Sequence, residues 1–447
     1  MVFFAYLISF LLGYCAILNL LKRPSSLPPG LHCALGLSLG LGISGLLTFY
    51  GLLLYGRFDP ALIIIENLGL LSGLIFLSFF RKKFNALKSI SFNPWDPFSI
   101  TVILLFLTLT VILSYFAQKH PFGEWDAWSL WNMKLKFLIY GADHWKDIFQ
   151  LHWHTQPDYP LLLPCINAYL FAFDTAQDLT TVTLTTSVVL ALLCGWTLLG
   201  GLKLFIDKKI ALLACALLLS HPYYIMMATS QYTDILLGLY LLAGFITLKL
   251  MIPSQDKGTA TLTGLFLGLL AFTKNEGIAL SLLLIGLYAI DHFLVKRKKK
   301  DPLFIPFTGG FLTTLSATLV FKFLLAPPNR DILNFSSTGQ HNYFGWNGLK
   351  TIIEFFILET VNPRWHFLWI FIGILIALKL RDYFRGENRI LTLFFTGYLG
   401  ILLFIYLTTT HFDLTWRLTR TVERIFFYLM PSVIFLCFSI HWQKKES

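Results

Sequence analysis

Apolar residues fall in runs long enough to cross a bilayer, and polar residues collect in the gaps between them. The runs lie at 3–21, 31–55, 61–80, 98–116, 179–205, 209–228, 233–252, 260–273, 277–295, 303–325, 365–380, 389–408 and 425–441. A helix needs roughly 20 apolar residues to span the hydrocarbon core, so the pattern predicts an all-α, polytopic integral membrane protein of about thirteen transmembrane helices. The run 260–273 is short for a span, and 260–295 can also be read as two helices meeting at a break. The longest polar interruption, 117–164, follows directly on the run 98–116.

Within that interruption Trp125, Trp128 and Trp131 recur every three residues, Leu130, Phe137 and Leu138 extend an apolar side, and Lys134 and Lys136 a polar one. This spacing predicts an amphipathic helix lying in the membrane interface. The stretch from Tyr159 to Phe173 is too short to span and contains Pro160 and Pro164, which predicts a second interfacial helix dipping toward the bilayer.

Composition agrees with the pattern. The chain has 447 residues, 56% of them hydrophobic and 13% charged, with 43 phenylalanines. A soluble domain of that composition would aggregate. The net charge of +11 does not point to nucleic acid, because the basic residues sit in short loops between apolar runs, where orientation signals belong. Clusters at Lys22-Arg23, Arg81-Lys82-Lys83, Lys208-Lys209, 296–300, 381–389 and Lys444-Lys445 all fall on one side if there are thirteen spans and the N-terminus is outside. That arrangement predicts these clusters in the cytoplasm and the loops 117–178, 326–364 and 409–424 outside. The apolar start without a basic leader reads as a retained span. The six cysteines show neither metal-ligand nor disulfide-framework spacing and read as small buried apolar side chains.

The candidate chemistry lies in the outer segments. Glu124 and Asp126 stand a few residues past a span, among tryptophans. Ionisable groups near the bilayer are costly and suggest a site; a solvated loop with an aromatic belt carries the same residues. Gln231, Tyr232, Thr233 and Asp234 open a span at the same face, and Lys274, Asn275 and Glu276 interrupt an apolar run there. Lys274 and Glu276 are also close enough in sequence to pair with each other. Arg417, Arg420 and Arg424 recur at three and four residues and so share a helical face. Such a face suits lipid phosphate, or headgroup snorkelling. Glu66 and Asn67 lie inside a span and are expected to bond to neighbouring helices. His152, His154 and Asp158 are metal-ligand types, but no third strong ligand is fixed nearby, and interfacial histidines are the better account. No nucleotide-binding fingerprint is present. Asn334-Phe335-Ser336 has the form of a glycosylation acceptor, and the last four residues resemble a dilysine retrieval signal.

At GEWDAWSLWNMK, with the later DYPLLLP, SQYTDILLGLY and LGLLAFTKNEG, the chain resembles the GT-C membrane glycosyltransferases, in the bacterial branch related to protein O-mannosyltransferases and lipid A aminoarabinose transferases. The likeness runs from residue 98 to about 295 and rests on the order of the motifs. It implies an added N-terminal transmembrane bundle (1–97), a GT-C-like core (98–325) with a catalytic outer loop (117–178), and a C-terminal transmembrane region (326–447). It implies a polyprenyl-phosphate sugar donor and a lipid, glycan or protein acceptor, used at the outer face of a bacterial inner membrane among membrane lipids. Asp126 or Glu124 takes the catalytic acid's place, with Asp126 favoured, and Lys274, Glu276, Asp234, Arg417, Arg420, Arg424, Trp125, Trp128 and Tyr159 bind substrate. The resemblance fixes no cofactor and leaves room for a divalent cation. A lipid-linked glycan flippase and an O-antigen ligase or polymerase with a diphosphate-linked donor remain open alternatives.

Overall fold

A computed structural model describes residues 2–22, 27–84, 95–297, 301–329, 343–408 and 413–444. The glycosylation-like Asn334 and Lys445 to Ser447 of the dilysine-like end lie outside the described residues.

The regular elements are helices: α1 Val2–Leu20, α2 Pro29–Tyr55, α3 Pro60–Phe80, α4 Pro97–Lys119, α5 Asn132–Tyr140 and α6 Leu162–Ala172 precede α7 Leu179–Phe205, α8 Lys208–Leu219 and α9 Pro222–Thr229. Then come α10 Asp234–Ser254, α11 Lys257–Thr273, α12 Asn275–Ala289, α13 Phe304–Leu324, α14 Trp346–Thr360, α15 Leu368–Leu378, α16 Leu380–Tyr383, α17 Asn388–Thr408 and α18 Leu414–His441. The starts are written in the sequence. Asp59, Asp96, Asp178, Asp207, Asp256 and Asp413 each cap a helix by accepting from backbone N–H groups of its first turn, which satisfies donors that the helix itself leaves open. Proline opens α2, α3, α4 and α9, where its missing N–H costs nothing.

The protein is a multi-pass membrane protein: ten of the helices described are long and apolar enough to cross a bilayer, or eleven if α8 and α9 form one bent span. The thirteen apolar runs of the sequence all carry helices, though among the described residues not every one is long and apolar enough to count as a span. The run 209–228 breaks into α8 and α9 with a 62° bend, because Pro222 cannot donate to the preceding turn. The run 260–273 belongs to a helix of 17 residues, and 365–380 holds one of 11.

Two helices expected at the interface differ in detail from their sequence reading. Helix α6 does not lie at the surface: Leu162 to Phe171 are all buried, packed against α1, α2, α3 and α7. The stretch 125–140 is helical throughout and amphipathic, as its spacing predicts, but its three tryptophans do not share one face. A π turn at Ala127–Trp131 leads into α5, and the buried side is Ala127, Leu130, Trp131, Lys134, Leu135 and Leu138, at the spacing of one helical face. Trp125 and Trp128 are 67% and 48% exposed while Trp131 is 1% exposed. Lys134, expected on the polar side, is fully buried. Asn67 bonds to the Ile63 carbonyl of its own helix at 2.8 Å rather than to a neighbouring helix, and Glu66 accepts from the Tyr55 hydroxyl at 2.8 Å.

The two ends of the bundle carry different charge. At one, Lys208 pairs with Asp96 at 3.7 Å, Lys296 with Asp291 at 2.9 Å, and Lys444 donates to the Lys203 carbonyl at 3.2 Å. Helix α10 runs from there, where Lys249 donates to Asn388 at 2.7 Å and Ser439 at 3.0 Å, to Asp234 at the other end. That second end carries Asp126 of the loop after α4 beside Asp234.

Candidate functional site

The loop bearing Asp126 is fastened to the turn before α10. Gly123 adopts φ +70°, and a Cβ there would strike the Ser230 carbonyl, so the close approach needs glycine. The Glu124 N–H donates to the Ser230 carbonyl at 3.1 Å. The Asp126 N–H donates to the Tyr232 hydroxyl at 3.3 Å. Gln231, itself in the left-handed region at φ +62°, accepts from Asn132 Nδ2 at 2.8 Å and donates to the Pro121 carbonyl at 3.0 Å. Strained backbone of this kind persists where the surroundings over-determine it, often at functional sites. The π turn directly after Asp126 belongs to the same class of local irregularity.

Five charged side chains from four separate segments meet here. Arg424 of α18 donates from Nε to Asp234 Oδ2 at 3.0 Å, again to that oxygen from Nη2, and from Nη1 to Asp126 Oδ2. The guanidinium thus bridges the loop and the start of α10, with the Tyr232 ring beneath it at 4.8 Å. Lys274, in the break between α11 and α12, reaches Asp234 Oδ1 at 3.3 Å and Glu276 Oε1 at 2.9 Å. The break stays tight because Gly277 packs where a Cβ would overlap the Leu270 carbonyl. Three carboxylates face two cations, so the cluster is acidic overall. Burial, with the Asp126 charge beside it, pushes the Tyr232 phenol up to about 12, which keeps it neutral under ordinary conditions.

The other sequence candidates are distributed around this centre. Glu124 points away, to His120 at 3.2 Å, and is 48% exposed. Trp125 and Trp128 pack edge to face at 4.5 Å on the surface. Arg417 lies over the Tyr406 ring at 5.9 Å, Arg420 is exposed, and of the three arginines it is Arg424 that reaches the carboxylates. Tyr159 sits between two ammonium groups, Lys134 and Lys274, each 5.7 Å from its ring. A cleft of about 320 Å³ opens beside the loop, lined by Phe122, Trp128, Asn132, Lys136, Leu179 and Thr180 among others.

Sequence reasoning missed a second polar centre next to the first. Asp158 accepts from Asn275 and from Asn329, both at 2.7 Å, and lies 3.6 Å from Lys322. The rings of His152 and His154 stack on each other at 4.7 Å. Among the described residues no three side chains of ligand type converge as a metal site. Lys134 donates to the carbonyls of Gln156 at 2.6 Å and Tyr159 at 3.3 Å.

Burial pushes the Lys134 ammonium down to about 7, against the opposing pull of the Asp158 charge. Between that value and the ordinary one near 10.4, the unfolded chain holds a proton that the folded chain lacks. Stability from this group therefore rises with pH across that window, by at most about 1.4 kcal/mol per pH unit. The denaturation midpoint in detergent should climb more steeply from pH 7 to 9 in the wild type than in Lys134→Met. Equal slopes would place no such proton there.

Compared with protein-family models, curated proteins and solved structures, the chain matches none.

Proposed function

We propose that the protein is a membrane glycosyltransferase that moves a sugar from a polyprenyl-phosphate donor to a lipid, glycan or protein acceptor. The observation that carries this is the meeting of Asp126, Asp234, Lys274 and Arg424 at one end of the bundle, brought from segments far apart in sequence. In the proposed reaction Asp126 takes the proton of an acceptor hydroxyl as its oxygen bonds to the anomeric carbon. The bond from that carbon to the phosphate oxygen breaks, and the electron pair leaves with the lipid phosphate. General-base help of this kind suits a positioned carboxylate, and cations aimed at the departing oxygen suit the charge that builds there. Lys274 and Arg424 fill the latter role by exchanging carboxylate partners for phosphate as the donor enters. Arg417 and Arg420, on the same helical face as Arg424, would meet the phosphate first. The neighbouring cleft offers an apolar wall to a lipid chain.

The proposed setting is a bacterial inner membrane, with the acidic end outside and the basic end in the cytoplasm, as the positive-inside bias suggests. In intact cells a cysteine at Asp147 should react with an impermeant maleimide and one at Arg385 should not, both positions being exposed. The reverse pattern would invert the topology and put the site in the cytoplasm. Transfer itself is tested with purified protein in proteoliposomes, supplied with sugar on a lipid monophosphate or a lipid diphosphate. Transfer from the monophosphate supports the proposal; transfer from the diphosphate alone would favour a ligase, and movement of intact donor without chemistry a flippase.

A further inference from the structure

The HTQPDYP stretch looks in sequence like a fragment of a metal site and in the structure holds no place in the carboxylate cluster. Its turn is nevertheless clamped from several sides. Gln156 is held in the left-handed region at φ +46°. Lys134 grips its carbonyl at 2.6 Å, and Lys322 grips the Asp158 carbonyl at 2.6 Å. Such fixing of one short turn by two lysines needs a reason, because a loop joining α5 to α6 could pack with far fewer polar contacts. What the clamp presents is directed at one place. The buried Asp158 carboxylate accepts from Asn275 at 2.7 Å, and Asn275 is the residue after Lys274. The next residue of the turn, Tyr159, sets its ring 5.7 Å from the Lys274 ammonium. Lys274 itself stands in extended backbone, φ −161° and ψ 161°, with no side-chain cap to fix the first turn of α12.

We propose that the Gln156–Tyr159 turn is a positioning element for Lys274, acting through Asp158 on Asn275 and through the Tyr159 ring on the ammonium. The side-chain amide of Asn275 takes over the anchoring that a cap would give, and the aromatic face limits where the ammonium can swing. Lys274 is thereby held between Asp234 and Glu276. The turn touches neither Asp126 nor Arg424 through any of these contacts, so it tunes one cation of the cluster and leaves the other alone. The kinetic consequence rests on the transferase reading: a displaced Lys274 weakens donor-phosphate binding. The placement of the side chain does not rest on that reading.

The test compares two amides that share Asp158. Asn275→Leu cuts the path to Lys274, whereas Asn329→Leu removes the other amide donor to the same oxygen and leaves that path intact. In the full-length detergent-solubilised protein, amine-reactive labelling of Lys274 is followed by mass spectrometry, with thermal midpoints recorded alongside. Asn275→Leu should speed Lys274 labelling at least threefold, and Asn329→Leu should leave it within the wild-type range at a similar thermal midpoint. Equal acceleration in both variants, or none in Asn275→Leu, would overturn the positioning role. A parallel transfer assay should show Asn275→Leu raising the donor KM about fivefold with kcat changed less than twofold. If the wild type transfers no sugar, the transferase reading fails and the labelling result still decides the role of the turn.

Discussion

Arg424→Met is expected to be among the most destabilising single substitutions in the chain. The guanidinium is the shared partner of Asp126 and Asp234, and the Asp234 side chain is fully buried. Removing one member of a buried ion pair leaves an uncompensated charge, at a cost of about 3–5 kcal/mol. Lys274 still reaches Asp234 at 3.3 Å, which places the expected loss near the lower end, about 3 kcal/mol. The loss is read as a lower denaturation midpoint in detergent and a smaller monodisperse fraction. Arg424→Lys should fall between, since one ammonium cannot reproduce the fork that serves two carboxylates. The double variant Arg424→Met with Asp234→Asn should recover part of the stability, because the coupling belongs to the pair. A midpoint unchanged in Arg424→Met would mean that the two carboxylates do not depend on this residue.

Asp126→Asn should behave in the opposite way, with a large effect on turnover and a small one on stability. Asparagine keeps an oxygen that can accept from Arg424 Nη1, and the Asp126 side chain is 20% exposed, so the loss of charge is partly met by water. As general base it would contribute about 10²–10⁴-fold to the rate, and the amide cannot take the proton. Donor binding should persist. Glu124→Gln, altering a half-exposed carboxylate paired with His120, should change turnover less than twofold. Full activity in Asp126→Asn together with a dead Glu124→Gln would exchange the two assignments.

Much of the architecture could be read from the sequence because a membrane helix announces itself by length and apolarity, and its start by an aspartate or a proline. Where the sequence failed, the cause was in part three-dimensional. The burial of α6 depends on what packs alongside, and a run of apolar residues looks the same in lipid and in protein; the 62° break at Pro222 has a local cause in the proline itself. The tryptophan row, one residue in three, does not mark the buried face: Trp131 and Lys134 share that face with Leu130 and Leu138 at steps of three and four, while Trp125 and Trp128 turn outward. Lys134 stands four residues from both Leu130 and Leu138 and so falls on their buried face, whereas Lys136, two residues on, is exposed. The carboxylates and Lys274 were visible as charges interrupting apolar runs at a common depth. Which arginine of three would meet them was not, since Arg417, Arg420 and Arg424 share a face and only the depth of α18 in the bundle separates them. Asp158 stands out in sequence beside histidines, a segment better accounted for at the interface than as a metal site, whereas its partners in space are Asn275, Asn329 and Lys322.

The most direct test of the proposed reaction is sugar transfer in proteoliposomes from a radiolabelled polyprenyl-monophosphate sugar to a bacterial envelope extract supplying lipid, glycan and protein acceptors, run with wild-type protein and with Asp126→Asn of matched thermal midpoint. The expected result is label moving from the lipid donor to an acceptor with the wild type, and transfer at least a hundredfold slower with Asp126→Asn, in keeping with general-base catalysis. Equal transfer by the two proteins, or no transfer by a folded wild type whose donor merely crosses the membrane intact, would contradict it.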